Sequence, residues 1–277
     1  MPNLRPRRSV LKLMSILFPF HALGFESRVF GLTPPAQADS SPATPIADLF
    51  PTQPPELARE MVTVSHYNLN RVKELIDARP SLARAAWDWG FGDWETALGA
   101  ASHMGNRPIA QYLISKGARP SLFSSAMLGH LEVVKAFVAA QPGVQRIRGP
   151  HSISLLAHAK AGGEESRPVF EFLQSLGDAD SDALIPLPEN EAEAIRGSYV
   201  FGPATNQRID VSMDDGELIW TRTGMMGRQL FHTGDHVFYP AGAPAVRILF
   251  RTEGTSMVMT IEDPGTVLVA RRKQSPK

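Results

Sequence analysis

The feature that most restricts what this chain can fold into is a change of hydrophobic period. From Pro55 to Asp180 apolar residues recur at helical spacing, and from Ala194 onward they alternate with polar ones. The helical part also repeats itself. In "ETALGAASHMGNRPIAQYLISKGARP", Thr96, Ala97 and Leu98 open a short helix, and Ala100 and Ala101 are small enough for a neighbouring helix to approach closely. Gly105 allows a tight turn. Ile109, Leu113 and Ile114 form an apolar stripe, and Gly117 stands where a helix C-terminus wants a left-handed residue. "GHLEVVKAFVAA", Gly129 to Ala140, copies the second half of that unit. Weaker copies lie in "VSHYNLNRVKELIDARPSL" and "LLAHAKAGG…VFEFLQSLGDAD".

This pattern resembles the ankyrin repeat, over about residues 60 to 180, as about four degenerate units. The resemblance implies paired helices stacked into a solenoid with a concave, partner-binding face and a row of β-turn fingers. There are departures. Gly105 to Gly129 spans 24 positions, against about 33 for an ankyrin unit, and Lys116 to Ser121 leaves no room for a finger. Gly99 stands where the consensus has histidine. Fingers are therefore expected only at about 80–95 and 141–152, with the first repeat acting as a cap.

In the alternating part, Ile209, Val211 and Met213 share one face against Asp210 and Ser212, and Leu218 and Trp220 share a face of the return strand. Turn signals stand at Asp215-Gly216, Thr233-Gly234-Asp235, Glu253-Gly254 and Asp263-Pro264-Gly265. Seven or eight short antiparallel strands follow, a meander closing into a small barrel or sandwich. With Tyr199 near its start and "LVARR" at its close, this part loosely resembles the small lipocalin-like β-domains appended to bacterial serine-hydrolase proteins, and no site residues transfer from that likeness. The expected fold class is α+β multidomain: an ankyrin-like α-solenoid over 56–180, a linker over 181–193 and an all-β domain over 194–277.

The amino terminus reads as an address. Arg7 and Arg8 precede Val10-Leu11-Lys12, which resembles the bacterial twin-arginine signal. The apolar run Leu13 to Phe25 is short for a stable membrane span, which needs ~20 residues, and Ala36-Gln37-Ala38 offers a small-x-small cleavage site. A signal peptide over 1–38, a Pro/Ser/Ala-rich linker over 39–55 and a periplasmic destination are expected. Loss of the signal leaves 23 basic against 27 acidic residues, which argues against nucleic acid as the main partner. There is no cysteine, hence no disulfide and no thiolate metal ligand.

No hydrolase, zincin or phosphate-loop pattern occurs. The single Ser-x-x-Lys, Ser9 to Lys12, falls within the signal, and Gly90-Phe91-Gly92 lacks the rest of a dinucleotide fingerprint. His66, His103 and His158 lie on or beside the first helices of repeats, His130 and His151 near turns, and His232 and His236 flank a turn. Neighbouring repeats can bring such side chains together around a metal, but the spacing matches no ligand motif. Structural or surface histidines are the expectation, with no metal, no cofactor and no catalytic residues.

Three of the four tryptophans fall in "WDWGFGDW", the finger leading into Thr96. One reading has Trp87, Trp89 and Phe91 folding against the neighbouring degenerate repeats. The other has Trp87, Asp88, Trp89, Phe91, Asp93 and Trp94 forming a recognition finger whose aromatic faces and two carboxylates suit a cationic group or a sugar, with Trp89 and Phe91 partly exposed near its glycine tip and Trp87 and Trp94 anchoring its base. The expected function is a non-catalytic, exported scaffold that binds a protein partner through its concave face and finger. The alternative is a carrier of a small apolar ligand inside the β-domain.

Overall fold

The computed structural model describes residues 51–180, 184–202 and 207–273. The expected signal peptide and most of the linker after it lie outside the described residues. The described residues all fall in one compact unit.

Four helix pairs come first: α1 (Pro55–Val64) with α2 (Leu69–Ala78), α3 (Ala97–His103) with α4 (Arg107–Ser115), α5 (Leu122–Met127) with α6 (Leu131–Ala140), and α7 (Leu155–Ala161) with α8 (Arg167–Ser175). The first helices stack in succession, α1 on α3 on α5 on α7. Local chemistry sets the boundaries. Asn68 and Asn106 cap α2 and α4 by accepting from Arg71 and Ile109 amides, Thr96 and Ser154 cap α3 and α7, and Ser121 with Ser124 forms a capping box on α5. Gly129 links α5 to α6 at φ +80, and an added Cβ would stand 2.2 Å from the Glu165 carbonyl oxygen, so only glycine fits. Ala100 and Ala101 are fully buried, as their small size requires at a close helix contact.

Of the two expected fingers, the first is a hairpin of β1 (Ala86–Asp88) and β2 (Trp94–Thr96). The second is a loop closed by one bridge between Arg148 and Ser154. No strand separates α4 from α5, so these pairs stack directly.

The expected linker carries α9 (Glu189–Ile195), started by Pro188 and two glutamates in its first turn. Eight strands follow: β3 (Gly197–Val200), β4 (Arg208–Asp214), β5 (Glu217–Arg222), β6 (Arg228–Gly234), β7 (Val237–Pro240), β8 (Arg247–Glu253), β9 (Ser256–Asp263) and β10 (Thr266–Arg272). Each pairs antiparallel with the next, and β10 returns to β3 through Arg271–Val200 and Arg272–Tyr199. The β-domain is thus a closed up-and-down barrel, not a sandwich. All four turn signals join consecutive strands, and Asp215-Gly216 has both φ values positive, as a tight hairpin turn needs. Tyr199, Trp220, Phe238, Ile248, Phe250 and Met259 help fill the interior. No helix among the described residues is long and apolar enough to cross a membrane.

Candidate metal centre

The β1–β2 hairpin aims its side chains by strand alternation. Trp94 is out, Glu95 in and Thr96 out. Trp94, expected as a buried anchor, is therefore 64% exposed, while the Glu95 side chain is fully buried. A buried carboxylate needs partners. Trp89 Nε1 donates to Oε2 of Glu95 at 2.8 Å, and three histidines supply the rest.

His66 follows α1, His103 ends α3, and His151 sits in the turn before α7. Each turns Nε2 toward Glu95, at 3.5, 2.9 and 3.5 Å. The four donor atoms all lie within 4.8 Å of one another. The far side of two rings fixes their protonation. His66 Nδ1 faces the carbonyl oxygens of Val62 and Thr63 at 3.1 and 3.0 Å. A carbonyl only accepts, so Nδ1 carries hydrogen. His151 Nδ1 likewise meets the Asp93 carboxylate at 2.8 Å. The neutral form of each ring would point a bare Nε2 lone pair at a carboxylate, an arrangement that either a proton on Nε2 or a metal cation between them relieves. Separations of 3.5 Å exceed hydrogen-bond length. They are close to the ~3.3 Å edge of a tetrahedron with metal–ligand bonds of about 2.0–2.1 Å, while the donor set as a whole spreads to 4.8 Å and would have to draw in around an ion. Glu95 Oε1 and His103 Nε2, though 2.9 Å apart, and His151 Nε2 make no well-aligned hydrogen bond.

The surroundings are ordered. Asp93, also buried, accepts the His151 amide on Oδ1 at 2.9 Å, and on Oδ2 both His151 Nδ1 and Nη1 of Arg228 from β6, the latter at 3.1 Å. A carboxylate behind an imidazole is the arrangement that orients metal-binding histidines. His151 and Ser152 both hold positive φ without being glycine, strain of the kind found at functional sites. Buried His158 packs between Phe123 and His103, with Nδ1 donating to Ser154 and Nε2 unpartnered.

Protonation reflects this web. Burial alone would raise the Glu95 carboxyl, but contacts with His103 and His151 outweigh it and bring the pKa to about 2. Burial opposes charge on His151 too, yet the hydrogen bond to Asp93 and the nearby Glu95 carboxylate lift it to about 9. Asp93 is lowered against its own burial, chiefly by His151. At neutral pH both carboxylates are ionised, and a divalent cation can replace the His151 proton.

The residues of "WDWGFGDW" divide between tasks. Asp93 supports His151, and Trp89 holds Glu95 while its ring lies 6.4 and 6.2 Å from those of His66 and His151. Phe91 packs on Trp220 of the barrel at 6.0 Å. Asp88 accepts the Gly90 amide and shapes the turn. Trp87, Asp88 and Trp89 also line a cleft of about 710 Å³ with Tyr67, Met225 and Met226, and the Arg59 guanidinium stands 6.0 Å from the Trp87 ring centre.

Sequence reasoning singled out the finger and weighed the histidines one by one, but it did not select Glu95. A signal was present. Ser65-His66 and Ser102-His103 are the same dipeptide in two repeats, and each serine bonds back to the carbonyl four residues earlier. Gly105 adds one residue before the second cap, which hides the equivalence. No protein-family model matches the chain, and no curated protein matches it.

Proposed function

We propose that the protein binds one divalent transition-metal ion through Nε2 of His66, His103 and His151 and the carboxylate of Glu95. The observation that carries this reading is the convergence of three imidazole nitrogens on a fully buried carboxylate, all four donor atoms within 4.8 Å of one another. Imidazole and carboxylate without thiolate suit zinc and its neighbours. Four protein donors complete a tetrahedral zinc shell, as in structural sites, so the chain is read as a binding protein without catalysis. Equilibrium dialysis against zinc with metal analysis tests this. One ion per chain is expected in the wild type and none in a His66→Ala/His103→Ala double variant held at the same free zinc. A wild type that retains no zinc at micromolar free metal rejects the reading.

In the same proposal the helix pairs are degenerate ankyrin-like repeats, supported by their shared caps and by the left-handed glycines Gly105 and Gly129. The twin arginines direct export to the periplasm, and export as a folded chain would permit loading beforehand. The cleft beside Trp87 and the exposed Trp94 favour a protein partner at the finger. For carriage of a small ligand there is a cleft of about 540 Å³ between α9 and the barrel, where Leu184, Leu187 and Leu230 stand beside Glu193, Arg196 and Glu217. Native mass spectrometry of the purified chain would reveal a retained molecule there.

A further inference from the structure

The barrel contributes one charged side chain to the surroundings of the candidate centre. Arg228 is buried against Asp93, with 7% and 2% of the two side chains exposed. Burying such a pair costs desolvation that a matched apolar pair would avoid, so the pair is poorly explained as a source of stability. Its geometry suggests another use. Nη1 of Arg228 bonds Oδ2 of Asp93, the same atom that receives His151 Nδ1, and also the Ala241 carbonyl. Nη2 bonds the Gly90 carbonyl at 3.2 Å. One guanidinium therefore ties the finger to the barrel wall and pins the carboxylate that orients His151.

The wall is shaped for this contact. Gly242 lies beside Asp93 at φ +81, and a Cβ there would stand 2.2 Å from the Asp93 carboxyl carbon. The Gly242 amide donates to Ser152 Oγ at 2.7 Å. The barrel thus grips the strained His151-Ser152 turn through Asp93 on one side and Ser152 on the other.

We infer that Arg228 is a positioning residue for the metal site, acting on His151 through Asp93, and that the barrel serves to lock this ligand in place. The inference rests on the metal reading above. It makes the barrel part of the site's tuning, where outer partners of ligating histidines typically change metal affinity about 10–100-fold.

The test is zinc affinity by chelator competition on the full chain, with the visible spectrum of the cobalt(II)-loaded protein as a probe of ligand geometry. Arg228→Met fills similar volume and removes the fork. Zinc affinity is expected to fall about 10–100-fold with one ion per chain retained, and the cobalt spectrum to shift. Arg228→Lys should recover part of the affinity. Gly242→Ala, which pushes Asp93 from the wall side, should weaken zinc in the same direction. Ile261→Ala, at a buried barrel-core position, should lower stability and leave zinc affinity unchanged. Should Arg228→Met fail to fold, Arg228→Lys and Gly242→Ala decide. Wild-type affinity and spectrum in the folded Arg228 and Gly242 variants would overturn this inference alone. A wild type that takes up no zinc would overturn the metal reading and this inference with it.

Discussion

Trp89 and Glu95 are joined across the finger by one hydrogen bond, indole Nε1 to carboxylate Oε2 at 2.8 Å. The bond matters because the carboxylate it serves has no access to water. Trp89→Phe keeps most of the ring and deletes the donor. The metal-free protein should lose about 1–3 kcal/mol, the penalty for a buried acceptor deprived of its partner. With zinc bound the loss should shrink, because the ion takes over Oε2. Urea melts with and without zinc measure both values, and equal losses would show that the ion does not reach Glu95.

His158 gives the metal-free protein a pH dependence of known sign. Burial, with help from neighbouring His103, lowers its pKa to about 4 from an ordinary 6.5. The unfolded chain therefore binds more protons than the folded one between those values. Its stabilising effect is complete above pH 6.5 and is lost as pH falls toward 4. Between pH 7 and pH 5 this group should cost about 2 kcal/mol of stability. His158→Leu should flatten that slope in urea melts at the two pH values. An unchanged slope would mean that other groups carry the acid sensitivity.

How much of this was legible depended on whether the information was local. The helix pairs follow from apolar spacing and from Gly105, Gly117 and Gly129, all of which adopt positive φ. The barrel strands follow from alternation and turn dipeptides, while closure of β10 onto β3 is a long-range event that no local pattern announces. The candidate centre was mostly illegible for the same reason. Its donors come from α1's end, a finger strand, α3's last residue and a turn 48 residues beyond His103. Strand register alone sends Glu95 inward and Trp94 outward, and a one-residue shift would exchange them.

The packed helix pairs make their own prediction. Ala101 is fully buried at a helix contact, so Ala101→Leu should overpack it at about 1–3 kcal/mol. Gly129→Val should cost at least as much, because it combines positive φ with a Cβ 2.2 Å from a carbonyl oxygen. Chemical denaturation of both variants checks the spacing of the repeats. Wild-type midpoints would mean the helix pairs pack differently.

Trp94 and Trp89 separate the two readings of the finger. Trp94 is 64% exposed, so Trp94→Ala should change stability by no more than about 0.5 kcal/mol. Trp89→Ala removes a ring packed on two histidines and should cost about 3 kcal/mol. If a protein partner recognises the finger, Trp94→Ala should weaken its capture by about 2 kcal/mol, as exposed aromatic anchors do. Unchanged capture would leave the finger to the candidate metal centre alone.

The last prediction links the ion to folding. A ligand that binds only the folded chain stabilises it by an amount set by its concentration relative to Kd, about 2.7 kcal/mol at a hundredfold excess. Zinc at that level should therefore raise the unfolding free energy by about this value, and a chelator should reverse the gain. His103 supplies one of the four donors, with Nε2 2.9 Å from Glu95. His103→Ala should start from a lower stability because it opens a cavity, so the informative quantity is the increment zinc adds within each variant. That increment should nearly vanish in His103→Ala and persist in a His130→Ala control, since His130 lies outside the cluster at the N-cap of α6. A gain retained in His103→Ala would place the ion elsewhere. Loss of the gain in both variants would mean that it does not report on the buried cluster specifically.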